Sequence, residues 1–499
     1  MRLKRSFLHA LIPAVVLAVL PGPLQAGRRI PLTLESAVDI AMESSYRTRQ
    51  LKLDIDRTLF WLEARRAALK SRVDLELHTP NLERLSDHKW NSVLRRDEIV
   101  RQNTELWQSD LSVTQPVILF GYPTNGYISL NYRMYRYAQR DDGQSDIDFY
   151  NRLYFKFEQP LFTPNELKND LEEAELNVED VTLDYLEERV EIIEDISDDF
   201  YDILSLEFEK KVLEHHLMHL QQVLEIAGAS AGSRDGGMDP AQAELEIANV
   251  RESLLENGRR MRFELTNLRQ RLRLGSDDSL IVQPEIDSSI VTVDPAEAVH
   301  YGNTLSPALR RLAIRRRQSE LDVENQKGEG GFHVTLELTY GLEKKDDRYR
   351  NLWQQYDNSN SATINAYIPL WDWGERRARI QAEQLDVRRR ELYIEEEKEE
   401  IRNDILNVCT NLNEYYARTR NMGRSLVLSE QVTEKSLEQY AAGVLSLQDI
   451  LQILDRHRET MHKYHEAYLG YRRSLVALMT NTYYDFEAGR SLVDRFNWE

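Results

Sequence analysis

The chain has 499 residues, 30% of them charged, and a formal net charge of −20. This acidic balance offers no basic stripe that could follow phosphates, so it disfavours a nucleic-acid ligand. The single cysteine, Cys409, excludes an intrachain disulfide and is predicted to pack as a small apolar side chain.

The first residues have the pattern of a secretory signal peptide. Lys4 and Arg5 precede an apolar run, and Ala26 stands just before Gly27. We expect cleavage after Ala26, which removes residues 1–26. The run of about 14 apolar residues is too short to span a bilayer as a helix.

The rest of the chain contains one unit twice. The strand-like run 73–78 recurs at 334–339, a shift of 261 residues. Internal similarity over such a distance indicates a repeated structural unit. We therefore predict a first structural repeat at 27–290 and a second at 291–499, the latter including a C-terminal tail.

Each repeat is predicted to run through a helix, two strands, a very long helix, a small-residue tip and a returning helix. The predicted elements of the first repeat are a helix at 34–72, strands at 73–79 and 151–160, a long helix at 165–227, a tip at 228–239 and a helix at 239–274. Those of the second are a helix at 295–326, strands at 332–341 and 361–369, a long helix at 375–440, a tip at 441–446 and a helix at 446–480. Two short helices stacked end to end match one long helix of about 95 Å.

The first long helix carries an acidic run between apolar positions with coiled-coil spacing. Glu187, Glu191 and Asp198 belong to this run. Two interpretations stay open: a solvated helix face, which such charge runs usually form, or the lining of a water-filled conduit.

The strands alternate between apolar and polar side chains. Ile128, Leu130 and Tyr132 alternate with Ser129 and Asn131. Transmembrane barrels show this dyad pattern, and so do half-buried sheets of soluble proteins. One chain has fewer strands than the roughly eight that a barrel needs, so a membrane barrel would require several copies of the chain.

Three sequence pieces, in this order and with this duplication, resemble the TolC family of outer-membrane efflux and secretion channels. They are Leu-Thr-Leu-Glu-Ser-Ala at 32–37, Pro-Leu-Trp-Asp-Trp-Gly at 369–374, and Tyr-x-x-Gly-x-x-Ser-x-x-Asp-Ile-Leu at 440–451. The resemblance covers nearly all of the chain after the signal peptide.

The resemblance implies a mixed α and β fold, in which a homotrimer shares one transmembrane β-barrel and extends a long periplasmic α-helical barrel. Each protomer would give four strands, in the outer membrane of a Gram-negative-type cell. The implied function is the passive exit duct of a tripartite efflux or type I secretion system. Its partners would be a periplasmic adaptor (membrane fusion protein), an inner-membrane RND or ABC pump and outer-membrane lipid.

The resemblance also implies roles for residues of the second tip. Tyr440 corresponds to a tyrosine that helps hold the closed state through polar contacts, and Asp449 to an acidic residue that forms a ring at the periplasmic entrance. Gln452 stands where a second acidic residue often occurs, with Asp455 nearby, and Leu445 stands where arginine is frequent. These departures leave the closing contacts of this chain open.

The two tips are expected to face the adaptor. The residues predicted for this contact are Gly443, Val444, Leu445 and Ser446 in the second tip and Gly236, Gly237 and Asp239 in the first. The inserted segment 80–150 is much longer than its counterpart in the second repeat. It could be an extracellular loop or extra strands, and we favour the loop because the other strands already pair across the repeat.

Candidate chemistry is sparse. His215 and His219 have a spacing that can bind a metal, and Glu459 with His462 resembles half of a di-iron motif. Because both clusters lie in polar helices, we interpret these histidines as solvent-exposed. We predict no enzyme activity, cofactor, metal ligand or catalytic residue. The alternative function is a periplasmic coiled-coil scaffold without channel activity.

Overall fold

A computed structural model describes residues 29–91, 93, 95–120, 122–141, 144–230, 238–275, 278–282 and 291–495. The predicted signal peptide, residues 1–26, lies outside the described residues. The chain builds one antiparallel sheet and a bundle of long helices, which the sheet joins at the end opposite the tip turns. None of the described helices contains an apolar stretch long enough to cross a membrane.

The elements are described in chain order for the two predicted repeats. Those of the first are β1 (Arg29–Leu32), α1 (Leu34–Ser44), α2 (Tyr46–Ala68), β2 (Arg72–Asn91), β3 (Arg96–Leu119), β4 (Tyr122–Asp141), β5 (Gln144–Leu161), α3 (Glu166–Ser230), α4 (Met238–Arg271) and β6 (Ser279–Val282). Those of the second are α5 (Pro295–Leu305), α6 (Pro307–Gly328), β7 (His333–Asp346), β8 (Asp357–Tyr367), α7 (Glu375–Ala441), α8 (Leu447–Thr482), β9 (Tyr484–Asp485), β10 (Arg490–Ser491) and α9 (Leu492–Arg495).

Six of these strands form one sheet in the order β2-β3-β4-β5-β7-β8, with antiparallel pairing throughout. The loop interpretation of residues 80–150 is therefore wrong. This segment completes β2, forms all of β3 and β4, and begins β5. Strands β3 and β4 lie between β2 and β5 in the sheet. The described chain therefore contributes six strands, where the resemblance implied four.

The long helices α3 and α7 contain 65 and 67 residues, which corresponds to about 100 Å each at 1.5 Å per residue. Helices α2 and α4 pack along α3, and α6 and α8 pack along α7, with α5 also against α7. The predicted end-to-end stacking of the short helices stays a prediction.

The two predicted helices that precede the strands are each broken once. Ser45 accepts a hydrogen bond from the backbone N–H of Thr48 and starts α2, while Ser306 accepts one from Leu309 and starts α6. Pro307 follows Ser306 at the first helical position, where its missing N–H costs nothing. At both places a serine caps the second helix, although the apolar pattern of the sequence predicts a single helix.

Three apolar clusters hold the helices together. One lies at the middle of α3 against α1, α4 and α8, and a second lies near the tip between α3, α4, α7 and α8. The third joins α5, α7 and α8 and contains Cys409, which is buried and free, as predicted. Beside the helices, β1 pairs with β6 in parallel and β9 pairs with β10.

Candidate functional site

The six-stranded sheet has one apolar and one polar face. Neighbouring partners across β2 to β7 place apolar side chains in register, in the row Val73, Val113, Leu130, Phe155 and Tyr340. Two residues further along each strand, the row Leu75, Leu111, Tyr132, Leu153 and Leu342 repeats the pattern. Because side chains alternate between faces, both rows lie on the same side of the sheet.

The apolar face is open to its surroundings. Val73, Leu75 and Ile364 have exposed fractions of 64%, 61% and 70%. On β7 the apolar positions run from Val334 to Leu342, about 27 Å along the strand at 3.4 Å per residue. This height is close to the apolar band of about 25 Å on lipid-facing barrel walls.

The opposite face carries charges that pair with one another. A row across all six strands consists of Glu76, Asp110, Arg133, Arg152, Glu343 and Asp357. Arg133 Nε lies 2.5 Å from Asp110 Oδ1, and Arg152 Nε lies 3.6 Å from Glu343 Oε2. Lys156 lies 2.8 Å from Glu158 on the same face. Such a face suits water.

The sheet has two free edges in the described residues, at β2 and at β8. Strand edges expose unpaired N–H and C=O groups, which cannot face hydrocarbon without large cost. A sheet with one apolar face and two open edges is complete only when both edges find partner strands.

The second tip is a short turn with defined caps at both helix ends. Gly443 has a φ of +78° and donates its N–H to the carbonyl of Tyr440, while Val444 donates to Gln439. This is a Schellman ending, and its left-handed residue favours glycine. Ser446 and Asp449 then form a capping box that starts α8.

Asp449 therefore has a structural role that the sequence analysis missed. Its Oδ2 accepts from the Ser446 backbone N–H at 3.2 Å and from the Ser446 hydroxyl at 2.6 Å. These hydrogen bonds lower the pKa of the Asp449 carboxyl, so it is charged at neutral pH. The side chain is exposed, as is that of Gln452.

Asp455 and Tyr440 have partners within the chain. Asp455 is exposed and lies 3.3 Å from Arg458 and 4.0 Å from His216. Tyr440 is 1% exposed and packs in the apolar cluster near the tip with Leu447, Ile450 and Leu454. The predicted roles of these residues in gating remain predictions.

The structure describes all four of the residues predicted to face the adaptor in the second tip, but only one of the three predicted in the first. Gly443, Val444 and Ser446 are exposed, and Leu445 is half-buried. Asp239 lies in the first turn of α4. Gly236 and Gly237 lie outside the described residues.

The acidic run of α3 pairs with arginines of four neighbouring helices, a role that the sequence analysis missed. Arg47 of α2 lies 2.5 Å from Glu188, Arg271 of α4 3.2 Å from Asp199, Arg311 of α6 2.5 Å from Glu187, and Arg473 of α8 2.5 Å from Asp202. The many arginines in the sequence of α6 were the one feature that indicated such pairs. The conduit lining remains a hypothesis.

The interpretation of the histidines as solvent-exposed is wrong for part of the cluster. His216 and His219 are buried and His215 is half-buried, because this face of α3 packs against α7 and α8 rather than water. Glu459 is instead exposed and pairs with Lys463 at 2.7 Å. Among the described residues, Glu459 belongs to no group of side chains that could hold a metal ion.

Comparison with solved structures identifies the fold. The chain is similar to CusC, with a TM-score of 0.66 and 11% identity over 91% of this chain and 93% of that chain. It is also similar to the outer-membrane channel OprN, with a TM-score of 0.65 and 13% identity over 92% and 94%. The outer-membrane protein VceC from Vibrio cholerae gives a TM-score of 0.65 and 12% identity over 90% and 95%.

No family model matches the chain, and no curated protein matches its sequence. The likeness is therefore one of fold, and at that level the resemblance to the TolC-type outer-membrane efflux channels is confirmed. The proteins that share the fold are channels rather than enzymes.

Proposed function

We propose that this chain, whose fold is that of the outer-membrane efflux channels, is the protomer of a homotrimeric exit duct in the outer membrane. The duct conducts substrates passively from an inner-membrane pump and a periplasmic adaptor to the outside. The observation that carries this proposal is the six-stranded sheet, which has an exposed apolar face, a charged opposite face and two open edges.

The sheet supports a shared barrel. Pairing β8 of one chain with β2 of the next leaves no free edge when three copies close a ring, and three times six strands gives eighteen. Barrels of 16–18 strands enclose an aqueous channel, whereas about eight strands leave an interior filled by side chains. The apolar face would then contact lipid, and the ion-paired face would line the water-filled lumen.

The helices support a long periplasmic conduit. Helices α3 and α7 reach about 100 Å from the sheet, and arginine pairs connect α3 to the shorter helices at several levels. Charge pairs between α3 and its neighbours leave polar groups on the helix wall, beside the apolar clusters that hold the helices together. Such a wall suits a tunnel that must stay wet.

The second tip supports an entrance where partners dock. In a trimer, three copies of Asp449 would place three carboxylates at one level, and a carboxylate ring favours cations. Docking of an adaptor on the exposed residues of the tip would shift the duct toward an open state if it binds that state more tightly. An RND or an ABC pump is compatible with these features, as are efflux and type I secretion.

The test is planar-bilayer conductance of the detergent-purified protein, with its mass determined in the same detergent. A trimer with small, cation-selective currents is expected, because the entrance is narrow and acidic. A protein that is soluble without detergent and never conducts would overturn the proposal and favour a periplasmic coiled-coil scaffold.

A further inference from the structure

Three imidazole rings meet between the long helix α3 and the returning helix α8. His215 and His219 lie one turn apart on α3, and His457 lies on α8. One ring nitrogen from each can be chosen so that all three lie within 4.8 Å of one another. His219 and His457 are only 5% and 2% exposed.

Each ring presents a buried nitrogen without a hydrogen bond. His215 Nδ1, His219 Nδ1 and His457 Nε2 have no hydrogen-bond partner among the described residues. Leaving a buried polar atom unpaired costs about 1–3 kcal/mol. Folded proteins rarely leave such atoms unpaired, and three of them in one place can bind one ligand together.

The hydrogen bonds of His457 fix which of its nitrogens is free. The Ser429 hydroxyl donates to the Leu426 carbonyl at 2.9 Å, so its oxygen accepts from His457 Nδ1–H at 2.8 Å. The lone pair is then on His457 Nε2. A hydrogen bond on the other ring nitrogen is the usual support of a metal-binding histidine.

A carboxylate completes the group. Glu430 of α7 places Oε2 3.3 Å from His457 Nε2, and Oε1 3.9 Å from His215 Nε2, which is the ring nitrogen other than the unpaired Nδ1. A carboxylate oxygen and a nitrogen lone pair repel each other at 3.3 Å unless a proton or a metal cation lies between them. Glu430 is partly exposed, which gives an ion a path into the site.

We propose that His215, His219 and His457 bind a divalent first-row transition-metal ion, with Glu430 as the fourth ligand. Three imidazoles and one carboxylate suit Zn²⁺, Co²⁺, Ni²⁺ and Cu²⁺ and do not suit Mg²⁺ or Ca²⁺. At metal–nitrogen distances of about 2.1 Å, tetrahedral ligands lie about 3.4 Å apart, so the rings must approach by about an ångström.

The bound ion would connect α3, α7 and α8. Glu430 lies 11 residues before the end of α7 at Ala441, about 17 Å from the tip turn. An ion at this level would hold α3 in a fixed position against α7 and α8. The site does not depend on the proposed channel function, because its ligands all come from one chain.

The experiment is a calorimetric titration of the full-length, untagged protein in detergent, after removal of metal with EDTA, using Zn²⁺ alone as the probe. We expect one Zn²⁺ per chain. His457→Asn and His219→Asn should each weaken binding at least a hundredfold. His462→Asn, an exposed histidine on the same helix α8, is the matched control and should bind as the unmodified protein does.

His215→Asn keeps the test independent of folding, since His215 is the least buried of the three rings. Co²⁺ replaces Zn²⁺ in this arm, and its visible absorption reports a tetrahedral nitrogen-rich site. The band is expected in the unmodified protein and lost in His215→Asn with an unchanged circular dichroism spectrum. Absence of Zn²⁺ uptake by the folded protein, or equal uptake by His215→Asn, would overturn the proposal.

Discussion

At the scale of single residues, Asp449 of the second tip has one structural task and one proposed electrostatic task. Asp449 caps α8 through Ser446, and its charge is free to act at an entrance because the side chain is exposed. The Tyr-x-x-Gly-x-x-Ser-x-x-Asp pattern thus has a local explanation. Gly443 ends one helix and Ser446 starts the next, whatever the tip binds.

Two substitutions at Asp449 separate these tasks. Asp449→Asn removes the charge but keeps an oxygen that can accept from Ser446, whereas Asp449→Ala removes both. We expect Asp449→Ala to lower the melting temperature and Asp449→Asn to lower it less. Both should reduce cation preference. Thermal melts and single-channel reversal potentials measure the two effects, and unchanged selectivity in both variants would exclude Asp449 from the entrance.

The stability of the protein is expected to depend on pH through His465 of α8. Burial, with Lys211 and His462 nearby, lowers the pKa of His465 from 6.5 to about 4, and the ring stacks on Phe208 at 4.3 Å. The unfolded chain therefore takes up the proton first as the pH falls. This contribution to stability is complete above pH 6.5 and is lost progressively between pH 6.5 and 4.

His465→Phe keeps a stacking ring and removes the titration. The melting temperature of the unmodified protein should fall relative to that of His465→Phe as the pH is lowered from 6.5 to 4. Melts of the two proteins across this range provide the measurement. A constant difference between them would show that His465 is not buried in its neutral form.

At the scale of elements, arginines explain how such acidic helices pack. Arg311 of α6 lies within 3.1 Å of Asp180, Asp184 and Glu187 of α3. Burial still raises the pKa of Glu187, because one cation is shared among three carboxylates. Removing this cation would leave partly buried acids to repel one another.

Arg311→Leu should accordingly destabilise the protein by about 2 kcal/mol, since it leaves partly buried carboxylates without a partner. Arg310→Leu is the matched control. Arg310 is the adjacent residue and pairs with Glu179 at a more exposed position, so its loss should cost about 0–1 kcal/mol. Thermal unfolding at low ionic strength compares the two, and equal losses would contradict a special role for Arg311.

The helices and the sheet were not equally predictable from the sequence. Uninterrupted spacing of apolar residues predicted α3 and α7 to within three residues at each end. Histidine and arginine partners were not predictable, because they lie on different helices and meet only when these pack. Alternation located parts of β3 and β4, but the sequence of β3 from Arg96 to Thr104 is mostly polar and has no regular alternation.

At the scale of the whole molecule, the number of strands decides what the chain can form. Six strands with edges at β2 and β8 cannot close alone, and the apolar face is exposed in the single chain. In the proposed trimer, pairing between copies would close both edges, and membrane lipid would cover the apolar face. An eighteen-stranded wall is wider than the twelve strands that four per protomer would give, so the barrel would not limit the size of what passes.

Neighbouring chains are proposed to pair β8 with β2, and disulfide cross-linking can detect this pairing. In a Cys409→Ala background, a cysteine at Glu76 of β2 is combined in turn with one at Asp357, Ser359 or Ser361 of β8. A disulfide requires β-carbons about 4 Å apart, so only adjacent strands react. A cysteine at Asn131 of the central strand β4, paired with Glu76→Cys, is the control.

If β8 pairs with β2 in a closed trimer, at least one β2–β8 cysteine pair should yield covalent dimers and trimers and nothing larger. The Asn131 control should remain monomeric in a denaturing gel. Absence of cross-links for every β8 position in an intact trimer would contradict the closure through β2 and β8, and a ladder extending beyond three chains would contradict the trimer.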